Sequence, residues 1–469
     1  MFRTFLVPLL LLVAVAPSAC TSPESPAAVT AFNRGLALQR NLDLNGAIAA
    51  YTEAIALAPR YAAAYTNRGN LYDRLDDEDR ALSDLDTAIA LEPTAIAFLG
   101  RGNAHYSKHQ LDLALADYGR SITLDPKMSG GYIGRGNVYD EKHDYAHAIE
   151  SFQDAIIVAP DDPVAWTDQA NTYRKMSQFD LAQEAYDRAL ALNPSDAYAY
   201  AGRGDVFERK HLYDRAMADF EQALRLDPKL PSAFLGRGNV YEARQDHARA
   251  IHDYTEATQL GPREPYGYVA RGDAEHAAQE DTLALADYDQ ALALNPSYST
   301  AYRGHGLVFE ARKDYTQALA EFDKAVKLAP SNALTLVMRG DLYFAMRDYD
   351  RALADYEQAV AIDRYQVNGI IGRGRCAEAR HDDNRALADY DEALRIDAEA
   401  FAAYDARAGI EARRGNHRAA LADFDKTLSL NPNHAPAYRS RAATRRALGD
   451  AAGAASDLDA AQRLEFARD

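Results

Sequence analysis

Cysteine is scarce in this sequence, which has only Cys20 and Cys376 among its 469 residues. Two cysteines cannot build the multiple-disulfide framework that stabilises many small secreted domains. Apolar residues make up 48% of the chain, which is sufficient for a packed core. We therefore expect a fold that is held together by side-chain packing alone.

Basic residues are also in short supply. The chain has 52 Lys and Arg against 70 Asp and Glu, which gives a formal net charge of −18. Binding to phosphates requires clustered Lys and Arg that displace counterions, so this balance argues against nucleic acid as a partner. A basic partner, or simply high solubility, fits the charge better.

Motifs of catalysis are missing as well. The sequence contains no zinc-protease motif, phosphate-binding loop, nucleophile elbow or dinucleotide fingerprint. Its many Arg-Gly-Asn and Arg-Gly-Asp triplets lie inside predicted helices, so they are not phosphate-binding loops. We predict that the chain is not an enzyme and has no catalytic residue, no cofactor, no metal site and no small-molecule substrate.

The N-terminus has an apolar run, Phe5 to Ala16, whose 12 residues are too few to span a bilayer as a mature helix. Arg3 precedes the run, and this order is typical of an export signal. The next four residues, Pro17-Ser18-Ala19-Cys20, resemble the lipobox of bacterial lipoproteins, although Pro17 stands where that family usually has an aliphatic residue.

This resemblance implies that residues 1–19 are removed and that Cys20 becomes the lipidated first residue of the mature protein. Thr21 after the cysteine, rather than Asp, implies the outer membrane of a diderm bacterium. The alternative is an ordinary signal peptide with a coincidental cysteine and a periplasmic product. Residues 20–28 are predicted to form a proline-containing tether ahead of the fold.

A period of 34 residues dominates the rest of the chain. It is marked by prolines at Pro59, Pro93, Pro126, Pro160, Pro194, Pro228, Pro262, Pro296, Pro330 and Pro432. Length alone would suggest about three domains, but this self-similarity predicts one continuous helical-repeat array.

The pattern within each period resembles the tetratricopeptide signature. The second repeat shows it as Tyr65, Gly69, Tyr72, Ala81, Leu85, Ala88 and Pro93. The resemblance implies an all-α solenoid of about 13 repeats, a right-handed superhelix in which each repeat is an antiparallel pair of helices A and B. We place twelve repeats in residues 29–434 and a degenerate capping repeat in residues 435–469, because a stack needs a polar end unit.

Small residues recur at the predicted crossing of the two helices. Helix B has an alanine in all thirteen repeats, from Ala47 to Ala454, and helix A has a glycine in ten, from Gly35 to Gly374. A glycine inside a helix costs about 1 kcal/mol relative to alanine, so its recurrence predicts a close approach, for example of Gly204 to Ala216. Recurring aromatic residues should fill the remaining core, and Cys376 aligns with aliphatic core positions, which predicts a buried, unreactive thiol.

An arginine replaces the leucine of the family signature in eleven repeats, and nine of these repeats carry an aspartate 16 residues later. Arg68 with Asp84 is one example, whereas Arg34 and Arg135 lack the aspartate. We predict a hydrogen-bonded Arg–Asp pair between the two helices of most repeats. The alternative is surface charge of no structural consequence.

Two histidine pairs, His105 with His109 and His143 with His147, have the i, i+4 spacing of helical metal ligands. However, His109 and His143 share their repeat position, the turn after helix A, with Gly415. We therefore predict that this position requires a left-handed backbone conformation, and we do not expect a metal site.

The position after the glycine of helix A faces the concave groove in the family, and here it carries Asn or Asp in eight repeats. These residues are Asn70, Asn103, Asn137, Asn171, Asp205, Asn239, Asp273 and Asp341. Asparagine offers both a donor and an acceptor, so a ladder of asparagines can hold an extended backbone. The row resembles the asparagine ladders of other concave helical repeats that bind peptides. It does not match the carboxylate-clamp subset of the family, which needs Lys and Arg beside the asparagines. The alternative is solvated side chains that repeat duplication has copied.

Further acidic residues follow on the same face, namely Asp140, Glu208, Glu242, Glu310 and Glu378. They should make the central groove negative, which favours an extended polypeptide that is basic or neutral as the partner. We expect an exported scaffold or adaptor that recruits envelope proteins along this groove. A chaperone-like holder of unfolded exported chains and a non-catalytic accessory subunit of an envelope enzyme are the alternatives.

Overall fold

The computed structural model describes residues 25–466, and within this range it contains 26 α-helices and no strand. The predicted all-α arrangement of thirteen helix pairs is confirmed. The predicted signal peptide and Cys20 lie outside the described residues. The helices divide by their packing into two units, Met1–Pro262 and Arg263–Asp469, which are described separately.

The first unit contains seven helix pairs. Its helices A are α1 (Pro26–Arg40), α3 (Ala62–Arg74), α5 (Ala95–Ser107), α7 (Ser129–Glu141), α9 (Pro163–Lys175), α11 (Ala197–Arg209) and α13 (Pro231–Ala243). Its helices B are α2 (Leu44–Leu57), α4 (Glu78–Leu91), α6 (Leu111–Leu124), α8 (Tyr145–Val158), α10 (Phe179–Leu192), α12 (Tyr213–Leu226) and α14 (His247–Leu260).

The second unit contains six helix pairs among the described residues. Its helices A are α15 (Pro265–Ala277), α17 (Ser299–Ala311), α19 (Ala333–Ala345), α21 (Val367–Ala379), α23 (Phe401–Arg413) and α25 (Ala435–Ala447). Its helices B are α16 (Asp281–Leu294), α18 (Tyr315–Leu328), α20 (Tyr349–Ile362), α22 (Asp383–Ile396), α24 (His417–Leu430) and α26 (Ala451–Phe466).

Helix α1 begins earlier than the sequence suggested. Ser25 is its N-cap and accepts a hydrogen bond from the backbone N–H of Ala28 at 3.2 Å, while Pro26 occupies the first turn. A serine N-cap followed by proline is a strong helix start, because both satisfy the unpaired end of the helix. Ala28 is fully buried. The prediction of a tether up to residue 28 is therefore wrong for residues 26–28, which belong to the fold.

Within each unit, every helix packs against its pair partner and against its neighbours in the chain. Helices A of successive repeats also contact each other, as α5 does with α3 and α7, and α21 does with α19 and α23. No two successive helices B make comparable contacts in the described part of the chain. Side chains of helices A therefore form a shared surface in each unit, and we call this surface the A face.

Two glycines of helix A let an aromatic ring of helix B lie against the backbone on both of its sides. A Cβ on Gly204 would lie 2.8 Å from the ring of Phe220 in the same repeat, and a Cβ on Gly236 of the next repeat would lie 2.2 Å from that ring. The same pair of contacts surrounds Tyr118, Tyr288 and Tyr356. The predicted close approach of helices A and B is confirmed, but Phe220, rather than Ala216, occupies the space at Gly204.

The turn after helix A contains a residue with positive φ in all thirteen repeats. His109 and His143 have φ of 56° and 60°, and the two glycines at this position, Gly415 and Gly449, have φ of 80° and 87°. The prediction of a left-handed turn residue is confirmed. The residue that follows often caps helix B, as Asp144 does by accepting a hydrogen bond from the N–H of His147.

The predicted Arg–Asp pairs are confirmed in nine repeats. They are Arg68–Asp84, Arg101–Asp117, Arg203–Asp219, Arg237–Asp253, Arg271–Asp287, Arg339–Asp355, Arg373–Asp389, Arg407–Asp423 and Arg441–Asp457. In the two repeats without the aspartate, the arginine reaches a carboxylate three residues further on: Arg34 pairs with Glu53, and Arg135 donates to Asp154 at 2.8 Å. An acidic residue on helix B is thus a general requirement of this arginine.

Candidate functional site

All eight residues of the predicted ladder lie on helices A and are partly buried. Asn70, Asn103, Asn137, Asn171, Asp205 and Asn239 belong to the first unit, and Asp273 and Asp341 belong to the second. The structure therefore places the row on the A face of each unit, at the level where successive helices A meet. Whether these residues bind a partner stays a prediction.

Tyrosines of helix B orient several members of this row. The hydroxyl of Tyr118 donates to Oδ1 of Asn103 at 2.9 Å, and the hydroxyl of Tyr186 donates to Oδ1 of Asn171 at 2.6 Å. Because an asparagine oxygen that accepts from tyrosine is turned inward, the amide NH₂ group, a pure donor, faces away from the helix pair. Burial raises the pKa of Tyr186 to about 12, so its hydroxyl keeps the proton that it donates.

The aspartates of the row have arginine partners from neighbouring repeats. Asp205 accepts from Arg174 at 2.5 Å, and Asp341 accepts from Arg375 at 3.3 Å and from the hydroxyl of Tyr356 at 2.7 Å. Burial also raises the pKa of Asp341. These aspartates therefore add less negative charge to the A face than the sequence suggested, because most of it is compensated within the fold.

The second acidic row is compensated in part. Asp140 forms an ion pair with Lys175 and accepts from Thr172 at 2.9 Å, and Glu378 pairs with Arg413 at 2.8 Å. Glu242 lies 3.0 Å from His247. Burial raises the pKa of Glu208 and of Glu310, which have no comparable partner in the described part of the chain. The expected negative potential is thus confined to a few positions.

Asp168 is a residue of the A face that sequence reasoning missed. It lies on α9 and receives a side-chain hydrogen bond from Asn137 on α7, yet burial raises its pKa to about 7, with Asp140 adding to the rise. Within residues 25–466, no lysine or arginine forms an ion pair with it. A signal existed in the sequence, because Asp168 interrupts a position that is glycine in both flanking repeats, Gly134 and Gly202.

The histidine pairs have partners other than metals. His105 and His147 bond to Gln110 and Asp144, at 2.7 Å each, and His109 lies 2.8 Å from Glu141. The described residues contain no group of three His, Cys, Asp or Glu side chains that could hold a metal ion. Cys376 is fully buried, and burial raises its pKa to about 11, which is consistent with the predicted inert thiol.

The paired helices, the rings clamped between glycines and the polar row shared by neighbouring helices A define a helical-repeat interaction scaffold. More specifically, the chain belongs to the tetratricopeptide repeat family, whose models match residues 32–95, 67–129, 167–231, 235–297 and 297–364. Proteins of this family are generally non-catalytic and mediate binding to proteins or peptides.

Among solved structures, a chain in the crystal structure of the APC/C hetero-tetramer Cut9-Hcn1 is similar to this one. The TM-score is 0.57, the sequence identity is 13%, and 94% of each chain is covered. At this identity the likeness concerns the fold alone. No curated protein matches the sequence. Within residues 25–466, no helix is both long enough and apolar enough to cross a bilayer.

Proposed function

We propose that this protein is an exported, lipid-anchored scaffold whose A face binds an extended segment of partner proteins in the cell envelope. The observation that carries the binding role is the orientation of Asn103 and Asn171 by Tyr118 and Tyr186. Each asparagine presents an NH₂ group from a fixed position, and main-chain carbonyls of an extended polypeptide are its natural acceptors. The N-terminal motif that ends at Cys20 supports export, lipid attachment and a site on the periplasmic face of the outer membrane.

Affinity capture from solubilised envelopes tests the binding role. We compare the wild type with the double variant Asn103→Ala and Asn171→Ala, which removes both donors from the A face. The control is Gln153→Ala with Gln290→Ala, since both are exposed amides on helices B. An adaptor should enrich one or two proteins that the first variant loses and the control retains. Equal capture by all three forms would reject the asparagine ladder as the binding element.

The same capture separates the adaptor from a chaperone-like holder. A holder would enrich many unrelated chains, and the set would change with growth conditions. An accessory subunit of an envelope enzyme would instead co-purify with one catalytic chain in fixed proportion.

Replacement of Cys20 by Ser tests the anchor. The variant should leave the membrane fraction and appear in the soluble periplasmic fraction, because the lipid would have no attachment point. Retention of the variant in membranes would contradict attachment through Cys20.

A further inference from the structure

The fifth repeat departs from its neighbours on the A face. Residues 167–170 read Thr-Asp-Gln-Ala, whereas the corresponding residues are Ile-Gly-Arg-Gly at 133–136 and Ala-Gly-Arg-Gly at 201–204. The two glycines of the flanking repeats accommodate aromatic rings, and their arginine joins the helices of the repeat. The fifth repeat has therefore replaced residues with structural roles by polar groups at one step of the stack.

Asp168 is the central group of this step. Its carboxylate lies in the packed contact between α7 and α9, where Asn137 donates to it, and Asp140 on α7 is the nearest further carboxylate that acts on it. Asp140 itself binds Lys175, whose side chain is 43% exposed and extends toward solvent. Because of this exposure, a cation from a partner can take the place of Lys175 without leaving a buried charge unpaired.

The hydrogen-bonding direction of the polar row reverses here. Helix B of the fourth repeat supplies Phe152, which has no hydroxyl to bind the oxygen of Asn137. Instead, Asn137 donates its NH₂ group to Asp168, so its oxygen remains as an acceptor. Asn103 and Asn171, on the helices to either side, present donors. One acceptor-rich position thus lies between two donor positions along the A face.

Thr167 supplies an independent observation. Its hydroxyl oxygen is buried and has no hydrogen-bond partner in the structure, and the residue is only 3% exposed. Thr167 directly precedes Asp168 and lies one turn before Asn171 on α9. Buried hydroxyl groups are rarely left unpaired, since an unmade hydrogen bond costs about 1–3 kcal/mol. An unpaired hydroxyl beside an uncompensated carboxylate is expected where a ligand completes the bonding.

We propose that Asn137, Asp140 and Asp168 form a subsite for one cationic side chain, lysine or arginine, of the polypeptide that binds the A face. The inference rests on the proposed function, because the same polypeptide would place its main-chain carbonyls on Asn103 and Asn171. The ammonium or guanidinium group donates to the two carboxylates and to the oxygen of Asn137, and Thr167 gains a partner at the edge of the subsite. The subsite gives sequence preference to a surface that otherwise reads only the main chain.

The test uses the full-length protein and fluorescein-labelled decapeptide pools that share one fixed central residue. The fixed residue is Lys, Arg, Gln or Leu, and the other positions are mixtures of uncharged amino acids. The variants are Asp168→Asn and Asp140→Asn, which keep the side-chain shape and remove the charge. Asp214→Asn is the matched control, because its side chain is 99% exposed on a helix B. Circular dichroism melts confirm that each variant is folded.

The wild type and the control should bind the Lys and Arg pools about 10 to 100 times more tightly than the Gln pool, as expected for a charge-assisted hydrogen bond. Asp168→Asn should remove this preference and keep the affinity for the Gln pool. Equal binding of the Lys and Gln pools by the wild type would overturn the cationic subsite and leave the proposed function intact. An unchanged preference in both Asp168→Asn and Asp140→Asn would do the same. Failure of every pool to bind would overturn the subsite together with the proposed function.

Discussion

Arg203 donates two hydrogen bonds to Asp219, from Nε at 2.7 Å and from Nη2 at 2.9 Å, and so joins helix A to helix B of its repeat. Its third donor, Nη1, reaches Asp187 on the preceding helix B at 2.6 Å. Asp219 is 7% exposed, whereas the side chain of Asp187 is 45% exposed. The pair with Asp219 therefore stabilises the repeat, and the contact with Asp187 adds a weaker tie between repeats.

Asp219→Ala should destabilise the helix pair α11 and α12 by about 1.5–3 kcal/mol, because the variant leaves a half-buried guanidinium without its bidentate partner. Repeat arrays can unfold in parts, so native-state hydrogen exchange of amides in α11 and α12 is the suitable measurement. Asp214→Ala, at an exposed position of α12, should change the stability by no more than about 0.5 kcal/mol. A loss below about 0.5 kcal/mol for Asp219→Ala would mean that the pair has no structural importance.

Gly236→Ala should lower the stability by about 1–3 kcal/mol, because the added Cβ would lie 2.2 Å from the ring of Phe220. Gly119→Ala is the control: it lies on helix α6, a Cβ there would meet no atom within 4 Å, and the higher helix propensity of alanine should raise the stability by up to about 1 kcal/mol. Thermal unfolding followed by circular dichroism compares the two. Opposite signs of the two changes are the expected result, and a stabilised Gly236→Ala would show that the ring can move aside.

Asp168 should make stability depend on pH. Burial raises its pKa from 3.8 to about 7, with Asp140 and Asp162 adding to the rise and Asn137 and Lys175 opposing it. The folded state therefore favours the protonated form, and the cost of ionisation grows from about pH 4 to about pH 7 and stays constant above that.

Asp168→Asn removes this cost. The variant should match the wild type at pH 4 and exceed its stability at pH 8 by an amount on the order of 2 kcal/mol, measured as hydrogen-exchange protection of α7 and α9. A constant difference between the two proteins from pH 4 to pH 8 would contradict a raised pKa at this position.

Cys376 should resist thiol reagents in the folded protein, because it is fully buried and its pKa is raised to about 11. The measurement uses the Cys20→Ser background, so that Cys376 is the one remaining cysteine of the chain. Absorbance from an aromatic disulfide reagent at pH 8 should develop only after denaturant is added. Rapid reaction without denaturant would show that the second unit opens at α21.

Contacts within a repeat could be predicted from the sequence, since the period of 34 residues aligns them directly. The Arg–Asp pairs and the left-handed turn at His143 are of this kind, because each needs only the recurrence of a residue type at one position. The N-terminal boundary was less accurate, since the Ser25 cap lies outside the repeat pattern.

Contacts between repeats were harder to predict. Phe220 meets Gly204 and Gly236, which lie 16 residues before and after it, and Arg203 likewise meets Asp187 and Asp219. The alignment revealed the partner within the repeat but not the one in its neighbour, because stacking geometry decides which residues of two repeats meet. Asp168 was missed for a different reason: its burial depends on packing between α7 and α9, which no periodicity encodes.

The symmetric reach of Arg203 means that its bonding requirements are satisfied within a stretch shorter than one period. Removal of residues 197–230 from the first unit would bring Asp187 to the place that Glu221 holds relative to Arg237, so one acid would substitute for another. Every remaining arginine would still find acids on both sides. Gene segments of this size can therefore be lost or duplicated in evolution without new compensating substitutions, and the number of repeats is free to follow the length of the partner.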